Sequence, residues 1–363
     1  MIPMRILLLL FLSLVFVSLL VISDEYPDAL TTSPLTKDVI QSKLPIPLPS
    51  VFDSTQSIPD ILIRDPRYQQ AGLIESDPIR RTYTTDPTEA LVNIYCTVRT
   101  ERSVRTTTGS GFFINPNGVI LTNAHVAQTL LLEELSGFSD TQCVVRAGSP
   151  ATAKYRAELL YIPPSWILKN ASVITEEYPV GTGERDYALL YVTETLEDMP
   201  HPSYFPALAT DTSQLAQETI STAVIAAGYP AIIDNEFTDL TELKPQQAST
   251  TITNLFTFGS NRTDVVALSG SVVGSYGSSG GPIVTSEGNV IGLISTKGDD
   301  VTDGAGSLRA ITISYIDRTI TEETGFNLEQ STQGNLAFRA EIFRTTLVPF
   351  LSNWLGRELK RSG

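Results

Sequence analysis

Gly277-Ser-Ser-Gly-Gly-Pro282 sets a serine among glycines, just ahead of an apolar run. Glycine lets the backbone approach a substrate closely and take dihedrals closed to other residues. In acyl transfer the attacking hydroxyl needs nearby backbone N–H groups aimed at the developing oxyanion, and those of Gly277 and Ser279 would supply them. A hydroxyl is also a weak nucleophile at its own pKa and needs a base. The chain has two histidines. His125, in Leu121-Thr-Asn-Ala-His-Val126, falls where a strand pattern gives way to a short helical one, which suits a side chain facing a cleft. His201, in Met199-Pro-His-Pro202, lies in a proline-flanked loop and reads as surface. An acid must hold the imidazole in one tautomer and stabilise its cation; Asp186, in Arg185-Asp-Tyr-Ala-Leu-Leu190, opens an apolar strand and can be partly buried there. Each motif alone has a plainer reading: a flexible loop, a structural histidine, a strand-edge carboxylate. The order His125, Asp186, Ser279, with one motif per region, favours a Ser-His-Asp triad.

Such a triad needs a frame that brings three distant segments together. From about residue 88 the chain turns to short β-type runs separated by turn residues. The first group covers 90–98, 111–114, 119–122, 143–146, 155–162 and 187–193. The second covers 222–227, 250–258, 265–273, 282–285, 290–295 and 308–315. Asn115-Pro-Asn-Gly118 and Ser286-Glu-Gly-Asn289 mark hairpins. No amphipathic helices alternate with these strands, which excludes a βαβ sheet. The distribution predicts an all-β protein of two six-stranded antiparallel β-barrels. Ile342, Phe343, Leu347, Leu351, Trp354 and Leu355 then repeat at helical spacing. They predict a C-terminal helix, with Pro349 kinking it or opening it, packed on the second barrel.

The remaining composition narrows the function further. The 363 residues carry a formal net charge of −15, which disfavours nucleic acid and anionic surfaces as partners. Nothing matches a zinc pattern, and neither a metal nor another cofactor is expected. Arg5 followed by the apolar run 6–22 reads as a cleaved signal peptide or a retained membrane anchor. The protein is therefore expected to be secreted, or tethered to a membrane with its folded part outside the cytoplasm. In that setting Cys96 and Cys143 either pair or serve as small buried hydrophobes. The expected organisation is a signal or anchor at 1–23, a Pro/Ser/Thr-rich linker or prosegment at 24–87, a catalytic domain at 88–320 and a helical extension at 321–363.

Thr-Asn-Ala-His-Val, Asp-Tyr-Ala-Leu-Leu and Gly-x-Ser-Gly-Gly-Pro together resemble the three motifs of the trypsin/chymotrypsin-like serine peptidases. Gly109-Ser-Gly-Phe112 and Ala227-Gly-Tyr-Pro230 are similar to the HtrA/Deg-type bacterial branch. The likeness spans roughly residues 88–316. It implies a double barrel with the triad between the barrels, His125 and Asp186 from the first and Ser279 from the second. It also implies a pocket floor at Val273 and a substrate-pairing strand at Ser295, Thr296 and Lys297. A valine floor lacks the carboxylate that would select Arg or Lys, so a small or apolar side chain is expected. Ser278 stands where the digestive enzymes carry the aspartate that captures a newly cut N-terminus, so activation of that kind is not expected. The stretch after the last strand is too short for the PDZ domain usual in that branch. Residues 163–185 form an extra loop before Asp186 that could shape the cleft rim. The expected activity is cofactor-free hydrolysis of polypeptide substrates through an acyl-enzyme. The competing expectations are a non-catalytic binding module on the same fold and an esterase-type acyl hydrolase.

Overall fold

The computed structural model describes residues 61–73 and 83–362, apart from 100–103, 136, 139, 177–178, 180, 197–199, 234–235, 238, 260, 299–300 and 302–303. The apolar run 6–22 and the part of the expected linker before residue 61 lie outside the described residues. No helix among the described residues is long and apolar enough to cross a membrane.

Two short helices, α1 (Ile61–Arg64) and α2 (Pro66–Leu73), precede α3 (Pro87–Ala90), which runs straight into β1 (Leu91–Arg99). With β2 (Val104–Asn115), β3 (Val119–Thr122), β4 (Gln142–Ala147), β5 (Thr152–Tyr161) and β6 (Ala188–Thr195) it closes an antiparallel barrel in the order β1-β2-β3-β6-β5-β4. Helix α4 (Ala124–Ala127) follows β3, and α5 (Pro164–Asn170) follows β5. A second closed barrel contains β7 (Ala223–Gly228), β10 (Gln246–Phe256), β11 (Val265–Leu268), β12 (Pro282–Val284), β13 (Val290–Lys297) and β14 (Leu308–Thr312). Its order is β10-β11-β14-β13-β12-β7, and β8 (Ile232–Ile233) with β9 (Glu236–Phe237) forms a small separate ribbon. The two six-stranded antiparallel barrels are those predicted.

Strand β3 is buried along its whole length, Val119–Thr122, and β6 at its start, Ala188–Leu190, without the alternation of a sheet that has one wet face. One face fills the barrel, and the outer face of β6 lies under a C-terminal helix. Cys96 and Cys143 stand directly opposite each other on β1 and β4 and are joined as a disulfide. Closing a loop over a sequence separation of 47 is worth about 4 kcal/mol in the chain-entropy account.

Three expectations change here. The run 308–315 stops as a strand at Thr312, whose hydroxyl accepts from Tyr315 N and so caps α6 (Ile313–Thr324). The single C-terminal helix is replaced by α6, α7 (Leu328–Ser331), α8 (Leu336–Thr346) and α9 (Val348–Ser362). Pro349 lies in the first turn of α9, where no backbone donor is needed. Helix α6 lies on β13 and β14, but α8 and α9 pack on the first barrel, not the second. Phe343 reaches Tyr161 with ring centroids 6.1 Å apart, and Ser352 Oγ donates to Leu131 O at 2.6 Å. The apolar outer face of β5–β6 and the turns after His125 and Trp166 would otherwise stand open, and these helices cover it.

The third change concerns residues 61–73, part of the stretch expected as a Pro/Ser/Thr-rich linker or prosegment without periodic segments. They are helical and docked against the C-terminal helices. Helices this short do not persist alone; tertiary contacts hold them. Tyr68 is buried under the Arg339 guanidinium, 4.8 Å from its ring centroid, and accepts from Arg339 Nη2 at 3.0 Å. Gln69 Nε2 donates to Thr324 O at 3.0 Å.

Candidate active site

The pairing of β3 with β6 sets Thr122 opposite Ala188, which brings the residues just after β3 beside those just before β6. His125 is thereby delivered to Asp186. His125 Nδ1 lies 2.8 Å from Asp186 Oδ2, and His125 N donates to Asp186 Oδ1 at 3.0 Å. Ser295 Oγ donates to Asp186 Oδ2 at 2.9 Å, and Asn123 Nδ2 donates to the Asp186 carbonyl at 2.8 Å. Asp186 is fully buried and His125 nearly so. A carboxylate out of water is tolerable only when its lone pairs are occupied; here three donors meet it.

The serine loop comes from the second barrel, between β11 and β12. Two of its glycines have no substitute. Gly277 has φ 94° and Gly280 φ 90°, a region costly for any residue with a Cβ. A Cβ on Gly280 would stand 1.9 Å from Ser110 O, and one on Gly277 would stand 2.6 Å from Tyr229 O. The loop is also tied across to the first barrel through Ser110 on β2. Ser110 N donates to Ser279 O at 2.8 Å, and Ser110 Oγ donates to Gly277 O at 2.7 Å while accepting from Tyr229 N at 2.8 Å. The Tyr276 carbonyl is taken by Ala231 N at 2.8 Å. Because a peptide is planar and trans, the Gly277 N–H then points the opposite way. The N–H groups of Gly277 and Ser279 find no acceptor among the described residues.

Ser279 and His125 line one cleft, with Thr107, Thr108, Val126, Pro179, Tyr276 and Gly277. The Ser279 hydroxyl donates to Ser295 O at 3.3 Å and makes no hydrogen bond to His125 in this arrangement. Val273 is fully buried in the turn before the serine loop. Beside it two backbones touch, since a Cβ on Gly274 would stand 1.8 Å from Gly306 O. Ser295, Thr296 and Lys297 lie at the end of β13, with Ser295 buried and Lys297 exposed. His201 is exposed against Phe205, outside the cleft. The segment 163–185 is partly helical, through α5 and the single-turn stretch Ala171–Thr175. It sends Pro179 into the cleft, and its Gly181 backbone packs so closely on Ser295 that a Cβ would stand 2.1 Å from Ser295 O.

Sequence reasoning missed the roles of Ser110 and Asn123: both sit inside quoted motifs, but their partners Gly277, Tyr229 and Asp186 lie far along the chain and no local signal marks them.

Two closed barrels with an acid, an imidazole and a hydroxyl gathered at one cleft define the class of double-barrel peptidases. Residues 109–293, just over half of the chain, match the model of the trypsin-like peptidase domain, and the chain belongs to that family. No curated protein matches it.

Proposed function

We propose that the protein is a serine endopeptidase in which Ser279 is the nucleophile, His125 the general base and acid, and Asp186 the orienting carboxylate. The observation that carries this reading is the buried His125 Nδ1–Asp186 Oδ2 contact of 2.8 Å at a cleft shared with Ser279. With Nδ1 committed to the carboxylate, Nε2 is the nitrogen left to accept a proton. Rotation of the Ser279 hydroxyl away from Ser295 O would bring it into service as substrate enters. Its attack on a peptide carbonyl builds negative charge on oxygen, and the N–H groups of Gly277 and Ser279 are free to receive it. His125 then protonates the leaving amine, and water, activated by the same imidazole, hydrolyses the acyl-enzyme. Collapse of the second tetrahedral intermediate breaks the ester bond to Ser279 Oγ, and His125 returns the proton it took from water to that oxygen as the carboxylic acid product leaves.

Several finer features belong to the same proposal. The buried Val273 and the absence of a carboxylate at that position favour a small or apolar residue before the scissile bond. The strand end at Ser295, Thr296 and Lys297 would pair with substrate backbone. The quoted motifs favour kinship with the HtrA/Deg-type branch. The Cys96–Cys143 disulfide favours an exported domain, secreted or held by residues 6–22.

The test is fluorophosphonate labelling and peptide hydrolysis by the wild-type chain and Ser279→Ala. Labelling and cleavage that both vanish in the variant support the reading. Unchanged labelling in Ser279→Ala, or a wild type that turns over only simple esters, overturns it.

A further inference from the structure

Asp186 is flanked by two residues that helix α6 holds. Arg185, immediately before it, takes a left-handed backbone with φ 57°. Outside glycine such a conformation persists only where the surroundings over-determine it. Here they do. Arg185 N donates to Tyr315 Oη at 3.1 Å, Nη1 to Glu323 Oε1 at 2.7 Å and Nη2 to Glu322 Oε2 at 2.8 Å. Tyr187, immediately after Asp186, accepts from Thr319 Oγ1 at 3.0 Å. Tyr315, Thr319, Glu322 and Glu323 all belong to α6.

Glu323 is itself fixed from the first barrel. It accepts from Tyr161 Oη at 2.5 Å and from Ser165 Oγ at 2.6 Å. The last turn of α6 thus carries two carboxylates, and it has no basic residue. That is the reverse of what the helix dipole favours, so stability of the helix does not account for them. The guanidinium does. Burial alone would weaken the Arg185 cation, but Glu323 and the surrounding phenols outweigh it and hold the group above its ordinary value.

We propose that Arg185 is a positioning residue: anchored by Glu322 and Glu323 on α6, it sets the backbone that aims the Asp186 carboxylate at His125. This rests on the reading of Asp186 as the triad acid. Arg185 touches neither substrate nor the reacting atoms, and its effect passes through Asp186. The geometry also makes α6, a helix outside both barrels, part of what tunes the site.

The test uses the full chain with Arg185→Gly, Arg185→Lys and Glu323→Gln, and with Arg339→Lys as a control buried against Tyr68 and Phe326 in the helical layer. Arg185→Gly accepts the left-handed backbone without strain and removes the whole side chain, guanidinium included. Its kcat on a peptide substrate is expected to fall about tenfold or more with KM within about twofold. Arg185→Lys is expected to recover part of the loss, and Glu323→Gln to fall between. A second readout is the proton resonance of His125 Nδ1. It is assignable because the only other histidine, His201, is exposed. That resonance is expected to broaden or vanish in Arg185→Gly and to persist in Arg339→Lys, which lowers only the melting temperature. Wild-type kcat and a wild-type resonance in Arg185→Gly overturn the proposal. Should that variant fail to fold, Arg185→Lys and Glu323→Gln read the same two quantities, and their equality with wild type overturns it. A wild type that keeps the resonance but neither labels nor cleaves peptide refutes the endopeptidase reading alone, and the resonance still decides the positioning role.

Discussion

On one side of the cleft, Ser279 is set by backbone. Gly277 and Gly280 hold positive φ, their neighbours leave no room for a Cβ, and Ser110 bridges from the other barrel to the carbonyls of Gly277 and Ser279. On the other side, Asp186 is set largely by side chains. Ser295, Asn123 and His125 meet it directly, and Arg185 and Tyr187 tie its flanks to α6. The backbone side tolerates few substitutions because nothing there can relax. The side-chain side can be adjusted in steps, since each hydrogen bond is a separate contribution. A site built this way would keep its serine loop constant while the setting of its carboxylate is varied.

The contrast can be broken most severely at the acid. Asp186→Asn, with buried geometry kept but the wrong imidazole tautomer favoured, is expected to lower kcat by about 10⁴-fold, measured on a peptide substrate with folding checked by circular dichroism. On the backbone side, Gly280→Ala forces a Cβ against Ser110 O and is expected to cost about 10²–10³-fold in kcat, as loss of an oxyanion donor does; the rate of fluorophosphonate labelling follows it. Ser110→Ala leaves the Gly277 carbonyl and Tyr229 N–H buried without their partner. It is expected to cost about 1–3 kcal/mol of stability in denaturant unfolding, with a smaller loss of activity than Gly280→Ala.

The smallest effect separates the two sides by pH. Burial raises the pKa of Glu184 above its ordinary 4.5, although Lys169 lies 3.2 Å away. The folded state therefore keeps a proton in the window just above 4.5 that the unfolded chain has lost. Stability from this group is full below that window and falls as pH rises through the folded value. Glu184→Gln is expected to raise the melting temperature slightly at neutral pH and to leave it unchanged below about pH 4. Equal gains at both pH values would show that packing, and not charge, governs this flank.

The barrels and the three motifs were readable in the chain because each depends on local pattern. Each short β-type run, each turn and each of the three motifs around His125, Asp186 and Ser279 is a pattern within a few consecutive residues. What escaped depends on distant partners. Periodicity at Ile342, Phe343, Leu351 and Leu355 announces an apolar helix face but not which barrel it covers. Tyr68 and Leu62 are the buried residues of the two helices within 61–73 besides Ala71, too few to stand out in a polar stretch. Ser110 is one serine between two glycines until its bonds to Gly277 and Tyr229 are seen. Arg185 looks like an ordinary strand-edge cation, since its carboxylate partner lies 138 residues further on.

That separation has a consequence for synthesis. A chain that has left the ribosome only as far as β14 already contains His125, Asp186 and Ser279, yet lacks α6 and with it Glu322 and Glu323. The first barrel at that moment also lacks Phe343, Leu351 and Leu355, which later bury its outer face. Domains generally fold as units, so the Asp186 flank is not completed until the segment carrying α6 has emerged. A nascent chain would carry His125, Asp186 and Ser279 before it carries the helix that holds the flanks of Asp186, and the order of translation would itself delay completion of the cleft.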